Sequence, residues 1–174
     1  MIASRYDSIA ALLAKEGGYW DDPLAGPTNH GITMGTLVAW RGRPVTDDEM
    51  RLLPQSDAIK IYGAMYWDKN KVSAFDIGVA HFLMDSVVQH GRAPIKWAQK
   101  IAGCDPDGVV GAITVAAIRK VDPIQFIRKM AVRRGFYYES LGGYEMMKNG
   151  WKDRLVLTTI ESALSVGGAD RGVQ

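Results

Sequence analysis

Cysteine is nearly absent from the sequence, since Cys104 is the only one in 174 residues. A single cysteine excludes a disulfide within the chain and is typical of a protein made in a reducing compartment. Long hydrophobic runs are also missing, because no window approaches the roughly 20 apolar residues of a membrane helix. Asp7 precedes any long apolar run, so the sequence predicts neither a secretory signal nor membrane insertion.

Histidine is scarce as well, and the sequence shows no metal-binding motif. The spacing of His30, His81 and His90 matches no known set of metal ligands, and Cys104 stands alone. We therefore predict no metal and no other cofactor.

The sequence also lacks alternating runs of β-branched residues, internal repeats and low-complexity tracts. Apolar residues instead recur every three or four positions, which predicts a mainly α fold with one compact core. Helices are predicted over residues 2–15, 34–41, 75–89 and 151–164, among others. Thr46 and Glu49 form a capping box, and Ser56 or Asp57 is predicted to cap the helix that follows.

The net charge of +2 is unevenly distributed along the chain. Residues 1–70 hold seven Lys/Arg against nine Asp/Glu, whereas residues 71–174 hold fourteen against ten. The second half could therefore face an anionic polymer, either a cell-wall polymer with acidic peptides or a nucleic acid, although an excess of +4 is more typical of a solvated surface. One predicted helix has a basic side of the kind that is typical of a solvated face, formed by Arg128, Lys129, Arg133 and Arg134.

Residues 16–33 combine a helix end with a polar loop. Glu16 falls in the last turn of the first predicted helix, where unpaired carbonyls and the helix dipole disfavour a carboxylate. Gly17 and Gly18 can end the helix and permit close approach, because neither has a Cβ and both tolerate positive φ. Glu-Gly-Gly alone is an ordinary helix end, but the whole segment indicates a functional Glu16. Thr33 is predicted to cap the next helix.

The segment reads Glu16-Gly17-Gly18-Tyr19, then Asp22-Pro23, then Thr28-Asn29-His30-Gly31-Ile32-Thr33. It resembles the signature of glycoside hydrolase family 108, the N-acetylmuramidases found as phage endolysins and as secretion-associated muramidases of bacteria. The resemblance assigns the role of catalytic acid to Glu16. The stretch between Asp22 and Thr28 is shorter than in many members of the family.

Further catalytic groups are predicted in the same loop. Asp22 is the chosen second carboxylate over Asp21, because its Asp-Pro step matches the family motif. It could hold a water molecule or stabilise an oxocarbenium ion. Thr28 and Thr33 could orient a water molecule through their hydroxyl groups.

A polar stripe interrupts the otherwise apolar helix predicted over residues 75–89. His81, Asp85 and Gln89 recur at steps of four and therefore share one face. They are either buried groups that join neighbouring helices or the floor of a substrate groove. The family pattern Asp-x-x-x-(Asn/Gln)-x-Gly favours the groove. The predicted substrate-binding residues are Tyr19, Asn29, His30, Asp85 and Gln89.

The long apolar helix pattern ends before Gly91, and shorter helix and turn patterns follow it. We predict a domain boundary there. Residues 107–114 read Asp-Gly-x-x-Gly-x-x-Thr, a turn and a helix cap that resemble the peptidoglycan-binding region of family members. We therefore expect a lysozyme-like helical fold with two closely packed lobes. Residues 1–91 would form the catalytic muramidase lobe, and residues 92–174 the helical peptidoglycan-binding lobe.

The resemblance implies a peptidoglycan hydrolase that cleaves the β-1,4 bond between N-acetylmuramic acid and N-acetylglucosamine. Two alternatives stay open. A lytic transglycosylase also uses one Glu, and a non-catalytic peptidoglycan-binding module would use Glu16 only as a cap. Amidases and most wall peptidases are disfavoured, because they need zinc or a Cys/His pair and Cys104 has no histidine near it in sequence.

The expected partner is the glycan strand of peptidoglycan, rather than nucleic acid or a membrane, and we expect a monomer. Without a signal peptide, the protein would be made in the cytoplasm and act in the periplasm or cell wall. A holin or an export machinery would release it. Phage lysis and wall opening for secretion by a bacterium are both compatible with these residues.

Overall fold

The structure, a computed structural model, describes residues 1–22 and 26–168 of the chain. Its α-helices are α1 (Arg5–Leu13), α2 (Met34–Arg41), α3 (Asp47–Arg51), α4 (Gln55–Tyr62), α5 (Ile77–His90), α6 (Ala93–Ala102), α7 (Ala112–Arg119), α8 (Pro123–Glu139) and α9 (Tyr144–Ser165). A π-helical segment, Gly63–Asp68, and a 3₁₀ helix, Val72–Ala74, join α4 to α5. The strands are β1 (Trp20–Asp22), β2 (Gly26–Asn29) and β3 (Ile32–Thr33). The predicted mainly α, lysozyme-like fold is confirmed.

Helix α5 lies at the centre of the fold and packs against α1, α6, α8 and α9. Ten of its 14 residues are buried, as the nearly continuous apolar sequence predicted. Asp76 caps its first turn by accepting a hydrogen bond from the Gly78 amide at 2.8 Å. Within the described residues, no helix combines the length and the apolar character needed to cross a lipid bilayer.

The three strands form a small antiparallel sheet in the order β1-β2-β3. It lies between α1 and α2 along the chain, in the segment that the sequence analysis described as a polar loop. Asn29 is paired with Ile32, so His30 and Gly31 alone make the turn between β2 and β3. Both turn residues have positive φ, 51° and 71°, as a type I′ hairpin turn requires. Through this turn, Gly31 at the tip of the hairpin approaches Glu16, which follows α1.

Three predicted helix ends differ from the structure. Helix α1 ends at Leu13, and Glu16 lies in the following turn, where its amide bonds to the Leu13 carbonyl. Helix α4 begins at Gln55 after Pro54, so the predicted cap at Ser56 or Asp57 is wrong. Helix α9 begins at Tyr144 rather than near residue 151, because the chain turns at Gly143 in the left-handed region and then continues with good helix formers.

One hydrophobic cluster extends across the predicted boundary after Gly91. Ile9 and Phe82 from the first part belong to the same cluster as Trp97 and Phe126 from the second. Helix α9 also reaches back to the start of the chain, where the Ile2 amide donates to the Ser165 hydroxyl at 2.8 Å. The division into a catalytic and a binding lobe stays a prediction, but the two parts share one core.

Candidate active site

Glu16 lies in the turn after α1, and its side chain is 18% exposed. Gly17 and Gly18, which follow it, do not have positive φ, so the predicted conformational reason for them is wrong. A Cβ built at either glycine meets no atom within 4 Å. The pair therefore borders open space next to the Glu16 carboxyl group.

The hairpin turn closes over the other side of Glu16. A Cβ at Gly31 would lie 2.7 Å from Glu16 Oε2 and 2.6 Å from the Tyr62 hydroxyl oxygen, which is closer than real Cβ contacts allow. Tyr62 is fully buried, and its hydroxyl donates to the His30 carbonyl at 3.0 Å. Glycine is therefore required at position 31, because φ is positive there and because a Cβ would have no space.

Arg154 on α9 forms an ion pair with Glu16. Its Nη2 lies 2.8 Å from Glu16 Oε1 and 3.0 Å from Asp85 Oδ1, so one guanidinium joins two carboxylates. Burial alone would lower the pKa of Arg154, but the charges of Asp85 and Glu16 raise it above its ordinary value. Arg154 is therefore a permanent cation at the site.

Asp85 is completely buried on α5, so the prediction that it contacts substrate is corrected. Its Oδ2 lies 2.7 Å from Nη2 of Arg134, a residue that is also fully buried. Burial would raise the pKa of Asp85, but the charges of Arg134 and Arg154 outweigh this effect and hold it below its ordinary value. Asp85 is an anchor for two arginines rather than a groove residue.

The other two members of the polar stripe also bond to neighbouring helices. Gln89 Oε1 accepts hydrogen bonds from the Tyr138 hydroxyl, at 2.7 Å, and from Arg134 Nη2. His81 contacts the Ser8 hydroxyl on α1 at 2.8 Å and Glu161 on α9 at 3.2 Å. The stripe therefore joins helices, which is the first of the two alternatives. The prediction that Arg134 lies on a solvated face is wrong for the same reason.

Two predicted residues in the hairpin have structural roles. Asn29 is 4% exposed, and its Nδ2 donates to the carbonyls of Met50 and Arg51 at 3.0 and 3.1 Å, which ties the hairpin to α3. Direct substrate contact by Asn29 is corrected on this ground. The backbone of His30 forms the turn, and its side chain is half-buried.

The two threonines predicted to orient water also bond within the loop. Thr33 caps α2, since its exposed hydroxyl oxygen accepts from the Thr36 amide at 3.2 Å. The Thr28 hydroxyl donates to the Trp20 carbonyl at 3.4 Å, across the β1-β2 pair. The capping prediction for Thr33 is confirmed, and both catalytic roles stay predictions.

The remaining predicted residues lie on or next to β1. Asp22 pairs with Gly26 through the backbone, but its side chain lies outside the described part of the chain. Its role as second carboxylate therefore stays a prediction. Tyr19 is half-buried under Arg51, whose guanidinium carbon is 4.2 Å from the ring centroid. Its substrate-binding role also stays a prediction.

Sequence reasoning missed Arg154, Tyr62 and Tyr66. Tyr66 lies in the π-helical segment, with its ring centroid 5.4 Å from that of Tyr62. Burial first, and the nearby Glu16 charge second, raise the pKa of Tyr62. In the described part of the chain, no three His, Cys, Asp or Glu residues lie together as metal ligands would.

Comparisons with known proteins agree with this geometry. A model of the family described as glycosyl hydrolase 108 matches residues 9–91. A solved structure described as SagA of Brucella abortus matches with 34% identity and a TM-score of 0.85, and the match covers 92% of this chain and 94% of that chain. No curated protein matches the chain. Because the similarity to SagA covers almost the whole of both chains, the protein belongs to glycosyl hydrolase family 108 and is a peptidoglycan hydrolase.

Proposed function

We propose that the protein hydrolyses the β-1,4 bond between N-acetylmuramic acid and N-acetylglucosamine, with Glu16 as the general acid. The observation that carries this proposal is the setting of Glu16. Its carboxyl group is fixed by Arg154 and by the Gly31 turn, yet it stays partly exposed next to the open space at Gly17 and Gly18. A general acid needs both fixed geometry and access to the substrate.

The contacts of Glu16 assign different tasks to its two oxygens. Oε1 binds Arg154, whereas Oε2 lies on the side of Gly31 and Tyr62. Because Arg154 occupies Oε1, Oε2 is the oxygen that would hold the proton and pass it to the glycosidic oxygen as the bond breaks. Water completes the hydrolysis at the muramic acid carbon.

Asp22 is our candidate for the group that assists this water or stabilises the oxocarbenium ion. The backbone of β1 places it in the same sheet as the turn that covers Glu16. Thr28 and Thr33, on β2 and β3, are the candidate hydroxyl groups near the water. The separation of the two carboxyl groups would decide whether the sugar configuration is retained or inverted.

The glycan strand would lie along the hairpin. Trp20 on β1 is 64% exposed, and a sugar ring can stack on such an indole. Tyr19 and His30, both half-buried at this edge, complete the proposed glycan contacts. We further propose that residues 92–174 contribute to wall binding. The protein would reach the wall through a holin or an export machinery.

The first test uses wild-type protein and Glu16→Gln on purified peptidoglycan, with mass spectrometry of the soluble products. The substitution keeps the side-chain shape but removes the transferable proton. Release of fragments with reducing muramic acid ends by the wild type alone would support the proposal. Glu139→Gln, at an exposed glutamate on α8, is the matched control and should keep full activity.

The same products separate the alternatives. Anhydro-muramic acid ends would identify a lytic transglycosylase, because that reaction closes the sugar on itself instead of adding water. Fragments from Glu16→Gln at the wild-type rate would remove Glu16 from the mechanism. Binding to peptidoglycan without any fragments would identify a non-catalytic binding module.

A further inference from the structure

A second groove lies between the π-helical segment after α4 and the loop before α7, with a volume of about 320 Å³. The proposed hydrolysis does not use the residues of this groove. Its lining comes from three parts of the chain, namely residues 65–71, the end of α5 with the turn after it, and residues 108–110.

The charged residues of this groove are all cations. Lys69, Lys71 and Arg92 line it and are exposed, and no acidic side chain does. Among the described residues, none of the three forms an ion pair. Three uncompensated positive charges in a concave surface attract anionic ligands.

The backbone keeps the groove open. Gly91 has φ of 60°, and a Cβ built there meets no atom within 4 Å, so bare backbone faces free space. Asn70 fixes the opposite wall, because its Nδ2 donates to the Tyr66 carbonyl at 2.7 Å. Val109, which is 57% exposed, supplies apolar surface. The groove therefore suits an extended ligand with carboxylates and small apolar groups.

Tyr66 connects this groove to the candidate active site. It lines the groove, and its ring centroid lies 5.4 Å from that of Tyr62, whose hydroxyl group borders Gly31 together with the Glu16 carboxyl group. A ligand branch that leaves the glycan near Glu16 can thus enter the groove past Tyr66. In peptidoglycan, such a branch is the peptide stem on each muramic acid.

We propose that this cationic groove, formed by Lys69, Lys71 and Arg92, binds the carboxylates of the peptide stems of peptidoglycan. The proposal rests on the proposed function for its substrate. Stem peptides match the groove because they combine several carboxylates with alanine methyl groups. The groove would therefore favour peptide-bearing glycan over bare glycan.

A binding experiment tests the groove without catalysis. Glu16→Gln protein is titrated with a soluble stem tetrapeptide and followed by NMR chemical shifts. Adding Lys69→Gln, Lys71→Gln and Arg92→Gln should weaken binding about tenfold, as expected for a few exposed ion pairs. Amidating the peptide carboxylates should weaken binding to a similar extent.

The matched control removes three charges elsewhere. Lys100→Gln, Lys129→Gln and Arg133→Gln change the net charge equally at the groove between α6 and α8, and should leave peptide binding unchanged. Equal losses of peptide affinity in both triple variants would overturn the proposal. Peptide binding that is not weakened by amidation of the carboxylates would overturn it as well. Displacement of the peptide by an oligonucleotide of equal charge would assign the groove to phosphate polymers. That result would also overturn the proposal.

A second experiment measures cleavage by otherwise wild-type protein. Intact peptidoglycan is compared with glycan strands whose peptides an amidase has removed. The Lys69, Lys71 and Arg92 triple variant should lose about tenfold in rate at low substrate concentration on intact glycan and nothing on stripped glycan. Equal wild-type rates on both substrates would overturn the proposal. If the wild type cleaves neither, the proposed hydrolysis fails, and peptide binding alone decides the role of the groove.

Discussion

Two carboxylates, Glu16 and Asp85, share the guanidinium of Arg154 but lie in different surroundings. Asp85 has no exposed surface and holds a second cation, Arg134. Glu16 has a side chain that is 18% exposed and borders the open space at Gly17. Arg154 is therefore bound to a closed structural carboxylate on one side and to a partly accessible carboxylate on the other.

The two carboxylates therefore differ in burial and in spare hydrogen-bonding capacity, the two properties that decide whether a carboxylate can reach a substrate. Both oxygens of Asp85 are bound by arginine, so none is left for substrate. Only Oε1 of Glu16 is bound by Arg154.

The largest expected effect on stability is that of Asp85→Asn. It keeps the side-chain shape but leaves the buried Arg134 without its anion and leaves Arg154 with Glu16 alone. The free energy of unfolding should fall by about 3–5 kcal/mol, measured by chemical denaturation. Glu16→Gln breaks the more exposed end and should cost about 1 kcal/mol. Equal losses in the two variants would break the comparison.

Arg154→Gln removes the shared cation. Asp85 would keep Arg134, so the loss in the free energy of unfolding should be about 2 kcal/mol. Glu16 would lose its fixed position, and the rate of peptidoglycan cleavage should fall roughly 10- to 100-fold. Arg154→Lys should restore only part of the rate, because a single ammonium lacks the fork that spans two carboxylates.

Arg128→Gln is the control for this change, since Arg128 bonds only to Gln125 among the described residues. It should leave rate and stability unchanged. A wild-type cleavage rate in Arg154→Gln would show that the ion pair does not position Glu16.

Gly31→Ala tests the turn on the Glu16 side, with Gly42→Ala as its matched control. Both glycines have positive φ, 71° and 66°, so each alanine should cost about 1 kcal/mol of stability. Only the Gly31 variant also crowds Glu16 and Tyr62, because a Cβ at Gly42 meets nothing within 4 Å. Gly31→Ala should therefore lose at least about tenfold in cleavage rate, whereas Gly42→Ala should keep it. Equal cleavage rates in the two variants would show that the Gly31 turn does not hold the Glu16 carboxyl group in position.

An effect on stability alone, without a direct effect on Glu16, is expected at His90, the last residue of α5. Burial, and next the charge of Arg134, lower the pKa of His90 to about 4. The unfolded chain, with a histidine pKa near 6.5, then binds more protons between these values. The stability from a neutral His90 is therefore complete above about pH 6.5 and is lost as the pH falls towards 4.

His90→Gln removes this titration. The difference in unfolding free energy between wild type and variant should shrink by about 1–2 kcal/mol from pH 7.5 to pH 4.5, since the partly exposed ring is screened by solvent. Denaturant titrations at both pH values measure it. A difference in unfolding free energy that stays the same at both pH values would show that the surroundings of His90 do not disfavour its charged form.

Local signals in the sequence predicted the local features well. The capping box of Thr46 and Glu49 and the cap at Thr33 both depend on residues a few positions apart. Helical periodicity likewise identified α5 as a buried helix. The family motif drew attention to Glu16 and to the hairpin that covers it.

Long-range pairing could not be predicted in the same way. Arg154 and Arg134 lie on helices with many basic residues, and periodicity does not show which of them meets a buried carboxylate. The stripe of Asp85 and Gln89 was visible, but its neighbours decide whether it faces helices or solvent. Asn29 was misassigned because its two carbonyl acceptors lie on a separate helix end.

The reach of α9 has a consequence for the order of events during synthesis. Arg154, Glu161 and Ser165 on this helix bind Glu16, Lys15 and Ile2, which belong to the first sixteen residues made. Partial folding of the earlier helices on the ribosome cannot assemble the acid with its cation. A nascent chain therefore acquires the proposed wall-cutting activity only after α9 has emerged and closed on α1.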